Sequence, residues 1–342
     1  MEITAVEAKT WLHAFGIEAD SLEVVRRLPG GTQNELLLLR VGETEAVLRR
    51  GPADKEESNA KVLAREARTL SALRASNVPH PRLLASCLDE AAIGTPFLLM
   101  EYKDGFNATL EVPSEIVQRP ELHSTPASEL VRAVGLLANV DYRATELAAT
   151  AQPDSWLERQ VERWSTRVEA YKNHKKWHDT GRIAQAIAIW RQEHYPKHRM
   201  DGIVHGDFHF GNFLFNRTDA TLSAIVDWEL ATIGDPRLDF GHLLATWPKP
   251  ADPRRTGLAK ELQGLPDRAR LIELHRTHNP HLAEDLKWFY VLACFRLATI
   301  LEDSWFRALE GRIAAHIGER LHGIAESLYE DANQTLESGD LL

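Results

Sequence analysis

The sequence predicts an α+β fold in two unequal lobes, and three observations predict it. Short β-type runs separated by Gly-containing turns fill the first hundred residues, one strongly periodic helical segment sits among them, and from Ser114 onward helical patterning dominates. The change of pattern places the boundary at the EYKDG segment, residues 101–105, with an N-terminal lobe over 1–101 and a larger, mostly helical lobe over 102–342.

Taken in order, an amphipathic helix is expected over Val6–Phe15. LEVVRRL (Leu22–Leu28), ELLLLRV (Glu35–Val41) and AVLRR (Ala46–Arg50) then read as strands of an antiparallel meander, punctuated by PGGTQN and GETE. Ala60–Ala75 carries apolar residues at helical spacing and stops before Asn77 and Pro79. Pro81–Asp89 and Thr95–Gly105 supply two further strands on either side of turn residues around Gly94. The small lobe therefore has five strands and one main helix. In the second lobe Ser128–Ala148 and Trp156–Trp177 are the clearest amphipathic runs, and a long helical tail includes Leu286–Asp331. One β-rich island interrupts the helices: Gly202–Asn216 and Leu222–Leu230 read as a loop flanked by short strands.

With 342 residues, 44% hydrophobic and 26% charged, the chain has the composition of a globular enzyme with a sizeable core. A net charge of −10 argues against a nucleic-acid or anionic-membrane partner, either of which favours a basic face. Cys87 and Cys294 lie far apart in apolar surroundings without CxxC spacing, which suits buried thiols in a reducing cytoplasm. The N-terminal stretch lacks a basic n-region with an apolar core, so no secretory signal is expected. No run of about 18 apolar residues occurs, so no membrane span is expected either.

The chemistry concentrates between His205 and Asp239. Transfer of a phosphoryl group from ATP asks a protein to clamp phosphates, hold magnesium and align an acceptor hydroxyl beside a carboxylate. His205-Gly206-Asp207 followed by Asn212 has the spacing of a loop in which an Asp accepts the hydroxyl proton and an Asn five positions later binds magnesium. Asp227, at the end of SAIVDW, suits a second magnesium-binding Asp placed beside that loop by a short strand.

HGDFHFGNFLF, VDWELATIGDPRLDF and the hairpin PGGTQN together resemble the aminoglycoside phosphotransferase and choline kinase family, whose fold is protein-kinase-like. GTPFLLMEY, WLERQVERW, DWELATIGDP and CFRLATIL further resemble the subgroup that includes kinase domains attached to certain acyl-CoA dehydrogenases. The resemblance covers roughly residues 20–310. It implies an ATP- and magnesium-dependent kinase acting on a hydroxyl of a small molecule, with Asp207 as base, Asn212 and Asp227 as magnesium ligands, Asp239 bracing the loop, and His205 orienting it.

For the N-terminal lobe the same pattern implies that Gly30, Gly31, Thr32 and Asn34 cover the phosphates, although any hairpin turn uses glycine. It implies that Met100, Glu101 and Tyr102 offer backbone hydrogen bonds to adenine. Where it expects a Lys on the third strand this chain has Arg49, with Glu66 as the helix partner; Arg grips phosphate bidentately and is not equivalent to Lys.

Two rival readings follow from the residues. GDFH imitates a Gly-Asp-x-His motif of metallophosphoesterases, but no GNH with a following acid appears and the only later Gly-His is Gly241-His242. A nucleotide-binding module without catalysis keeps the fold, yet every acid and amide needed for transfer is present. The acceptor is less legible. Trp156–Arg199 holds ten Lys/Arg against five Asp/Glu, and Leu301–Leu342 three against nine. A basic insert suits an acid, a phosphate or a coenzyme A thioester better than a polycation, and is equally what solvated helix faces look like. The resemblance adds a hydroxyacyl thioester as a candidate acceptor.

Overall fold

The computed structural model describes residues 22–29, 35–51, 56–88, 95–171, 178–249, 252 and 261–341. The expected Val6–Phe15 helix, the turn around Gly94, and Gly30, Gly31, Thr32 and Asn34 lie outside the described residues. Among them, no helix is long and apolar enough to cross a membrane.

The N-terminal part is a five-stranded antiparallel sheet in the order β1-β2-β3-β5-β4, built from β1 (Leu22–Arg27), β2 (Glu35–Val41), β3 (Thr44–Arg50), β4 (Leu83–Cys87) and β5 (Phe97–Glu101). Strand β5 is interior, between β3 and β4, and both of its faces are covered, as its unbroken FLLM run requires. Phe97 and Leu99 join Leu37, Leu39, Ala46 and Leu48 in one apolar cluster, while Leu98 and Met100 face the main core. Helix α1 (Glu56–Leu73) packs Leu63, Ala67 and Leu70 into that core at i, i+4, i+7 spacing, and the same helix buries Glu66.

The remainder is mainly helical: α2 (Thr125–Ala138), α3 (Trp156–Tyr171), α4 (His178–Glu193), α5 (Arg237–Thr246), α6 (Arg268–His278), α7 (Leu286–Leu309) and α8 (Ala315–Ser338). The two-lobed α+β reading therefore holds, with local corrections. The run Ser128–Ala148 is not one helix. Helix α2 ends at Ala138, and short 3-10 turns follow because Asp141 accepts the backbone N–H of Arg143 and the Thr145 hydroxyl accepts that of Leu147. These local bonds offer the backbone an alternative to helix. The tail divides into α7 and α8 around Gly311, which has φ +74°.

The β island also holds more than a loop with two flanking strands. Strand β6 (Gly202–Val204) pairs with β9 (Thr232–Gly234), and β7 (Phe213–Phe215) pairs with β8 (Leu222–Ile225). The two ribbons set the loops 205–212 and 226–231 side by side. Beyond β5 the chain joins them directly, through a bridge between Phe106 and Phe215. Helix α5 lies beneath, crossing α7 so closely that a Cβ on Gly241 would fall 2.6 Å from the Phe289 carbonyl oxygen.

Candidate active site

The loop after β6 is tied down by backbone bonds. The carboxylate of Asp239, buried on α5, accepts the N–H groups of His205 (2.7 Å) and Gly206 (2.9 Å), one on each oxygen. Gly206 has φ +85°, and a Cβ there would come 2.7 Å from the Leu230 carbonyl oxygen, so the turn admits only glycine. The buried His205 ring donates through Nε2 to the Val226 carbonyl (3.0 Å) and accepts the Asp207 N–H at Nδ1 (3.2 Å). It thereby fastens the loop to the segment carrying Asp227. Burial lowers its pKa and keeps the ring neutral.

Asp207 projects from this frame. Its Oδ2 receives Asn212 Nδ2 (2.9 Å) and His209 Nε2 (3.2 Å), while His209 Nδ1 accepts the Gly211 N–H. Its Oδ1 faces His242 Nε2 at 3.4 Å. Burial alone raises the pKa of Asp207, but the hydrogen bond and field of His209 lead the effects that outweigh it and hold the carboxyl below its usual range. The result is an ionised carboxylate with one oxygen turned away from the loop's own donors.

His242 and Arg296 complete this side, and sequence reasoning did not place them there. The fully buried imidazole of His242 accepts a hydrogen bond from Arg296 Nη1 at Nδ1 (3.3 Å), which leaves Nε2 as the protonated nitrogen facing Asp207. Burial pushes its pKa down to about 3. Arg296 is buried beside it and feels both Asp207 and Asp239. Two signals for the pair were present: His242 stands three residues after Asp239 on one helix face, and Arg296 is the lone charge in the apolar run WFYVLACFRLATIL.

Across the gap stands Asp227, in a left-handed conformation (φ 65°, ψ 66°) rare outside glycine, Asn and Asp. The Val226 N–H donates to the Asn212 carbonyl (2.9 Å), so Asn212 and Asp227 belong to neighbouring stretches. Arg49 on β3 donates through Nη1 to Asp227 Oδ1 (3.0 Å) and Glu66 Oε1 (3.1 Å), and through Nη2 to Glu229 Oε2 (2.5 Å). Glu229, two residues beyond Asp227, was not anticipated; an acid in DWEL beside a metal-type Asp was its only trace. Burial pushes Glu66 up to about 7 against the pull of Arg49. One guanidinium thus answers three carboxylates, a local excess of negative charge that suits a divalent cation.

The donor set fits magnesium. Asn212 uses its Nδ2 on Asp207, which leaves its Oδ1 as a hard oxygen donor, and Asp227 is one-third exposed. Among the described residues no three His, Cys, Asp or Glu side chains form a closed metal cage. Magnesium typically takes one or two protein oxygens and completes its shell with water and phosphate.

Of the expected adenine-side residues, Met100 is buried on β5, and the Glu101 amide is already committed, donating to the Arg82 carbonyl (2.8 Å). The Glu101 carboxylate pairs with Lys103 and Arg82. Tyr102 follows the strand end, half-buried. The insert and tail also meet: Arg167 on α3 forms a bidentate pair with Asp303 on α7, so part of the basic excess is answered within the fold.

The chain is similar to known proteins over most of its length. The family model described as phosphotransferase enzyme family matches residues 24–274. Acyl-CoA dehydrogenase family member 10 of Mus musculus is 27% identical over 309 residues, 88% of this chain and 28% of that protein, so the chain spans less than a third of that relative. A crystal structure of a candidate aminoglycoside phosphotransferase from Ralstonia eutropha superposes with a TM-score of 0.77 at 25% identity, over 97% of this chain and 99% of that one. A ternary complex of a thermostable mutant of aminoglycoside phosphotransferase APH(4)-Ia with ADP and hygromycin B gives 0.61 at 16% identity, over 96% and 98% of the two chains.

Proposed function

The chain belongs to the phosphotransferase enzyme family, and on that premise we propose that it moves the γ-phosphoryl group of ATP to a hydroxyl of a small molecule. The observation that carries the proposal is the convergence of Asp207, Asn212 and Asp227, from two adjacent loops, beside an arginine that spans three carboxylates. Magnesium held by Asn212 and Asp227 supplies charge neutralisation to the phosphates. Asp207 Oδ1 takes the acceptor proton, while His209 and Asn212 fix the carboxylate through Oδ2. Arg49 leaves some of its carboxylate partners for the nucleotide phosphates, a role its planar fork suits.

The buried surroundings of Asp207 include positive charge. Arg296 lies buried near Asp207, and the field of Arg163 reaches it. Such a wall favours an acidic or thioester acceptor over a polycation, and a hydroxyacyl thioester is the class that the acyl-CoA dehydrogenase relative adds. The test is a metabolite screen with Mg-ATP read by mass spectrometry, with Asp207→Asn as control. Phosphorylated product formed by the native chain and lost in the variant is the expected result. Absence of transfer together with absence of thermal stabilisation by millimolar Mg-ATP overturns the proposal, since a ligand at 100 times its Kd adds about 2.7 kcal/mol.

A further inference from the structure

Against α1 lies a cavity of about 220 Å³. Its walls come from α1, the 3-10 turn Glu146–Thr150 and Gln152 after it, α3, β6, Ala231 and β9, and Asp207, Asn212, Asp227 and Arg49 are not among its lining residues. Three of the lining residues are arginines, Arg65, Arg68 and Arg159, and none is acidic. Burial depresses the pKa of Arg65; the nearby Glu229 and Glu66 oppose that shift, while Arg163 and Arg68 add to it.

Their bonding leaves donors unused. Arg65 donates only Nε, to the Glu229 carbonyl (2.8 Å); its two terminal nitrogens have no partner among the described residues. Arg68 makes no hydrogen bond or ion pair among the described residues. Arg159 is held in place by the Gln152 carbonyl (2.5 Å) and Ser155 Oγ. The hydroxyls of Thr69 and Thr150 point their protons at helix carbonyls and keep lone pairs and a small polar wall. The volume corresponds to about seven waters at ~30 Å³ each.

We propose that this pocket is a second anion site, separate from the nucleotide site, that binds a phosphate group on a small molecule or as the free ion. A phosphate has enough oxygens and charge for three guanidinium groups, whereas a lone carboxylate is matched by one. Occupancy ties α1 to α3 and to the strand that follows Glu229.

The experiment titrates inorganic phosphate and, separately, glycerol phosphate into the full chain with Mg-AMP-PNP saturating the nucleotide site, read by calorimetry. Saturable one-to-one binding that Arg68→Gln and Arg159→Gln each weaken at least about tenfold, with Asp207→Asn unchanged, is the expected result. Tighter binding of the ester assigns the site to a phosphomonoester, and tighter binding of the ion to phosphate itself. No saturable binding of either probe, or binding indifferent to both arginine substitutions, overturns the site. Saturation with Mg-AMP-PNP is measured first, so failure of the nucleotide reading registers separately. Arg68 carries no structural hydrogen bond among the described residues, and unchanged melting of Arg68→Gln separates a lost ligand contact from a lost fold.

Discussion

Around Asp207 the restraints are backbone amides and neutral imidazoles, whereas around Arg49 they are charges. Asp239 holds two amides, His205 one carbonyl and one amide, and His242 stays neutral behind the carboxylate. Arg49 instead bridges Glu66, Asp227 and Glu229, one partner on α1 and two on the loop after β8. The first arrangement has little to rearrange when a substrate arrives, which is what the proposed base role of Asp207 requires. On the proposed function the second is provisional: an arriving cation and phosphates would compete for the same groups, and ligand binding would then redraw the link between the sheet and the helices.

The largest effect that sharpens this contrast is expected on the fixed side. Asp207→Asn lowers kcat by ~10²–10⁴-fold and leaves Mg-ATP affinity close to native. Single-turnover kinetics alongside calorimetry check it, and near-native turnover removes Asp207 from the base role. On the charged side, Arg49→Met strands the buried Glu66 and costs about 3–5 kcal/mol of stability by denaturant titration. The double variant Arg49→Met/Glu66→Met recovers much of that loss; if it does not, packing rather than charge holds this region. Asp239→Asn comes next, at about 1–3 kcal/mol, because an amide accepts only one of the two loop N–H groups. Equal stability of that variant would show that the loop does not depend on the brace.

The smallest effect concerns pH. His242 has a folded pKa of about 3, below the ordinary 6.5 of an unfolded chain, so between these values the unfolded state binds the extra proton. Stability therefore rises with pH across that window and falls on acidification. At pH 5 the contribution is at most about 2 kcal/mol. His242→Gln is expected to flatten the fall in melting temperature between pH 7 and pH 5. An unchanged slope assigns the acid sensitivity to other buried imidazoles, such as His275, whose pKa burial pushes down to about 4.

What was legible in the sequence follows the same division. Asp207, Asn212 and Asp227 stand in one stretch whose spacing is itself the signal, and the five strands with their helix announced themselves by alternation and periodicity. Partners that reach the loop from elsewhere were harder. Arg296 arrives from α7, some ninety residues downstream, and no local pattern states which loop a buried arginine will meet. The break after Ala138 was missed for the opposite reason: side chains of Asp141 and Thr145 decide it locally, and a helical hydrophobic period continues across them.

The paired bonds from Asp239 also make the loop observable. The amide protons of His205 and Gly206 rest on a buried carboxylate instead of on a strand or helix neighbour, so their exchange with deuterated solvent requires either loop opening or withdrawal of α5. Two adjacent amides next to Asp207 thus form a built-in clock for that motion, readable residue by residue in the native chain without any substitution.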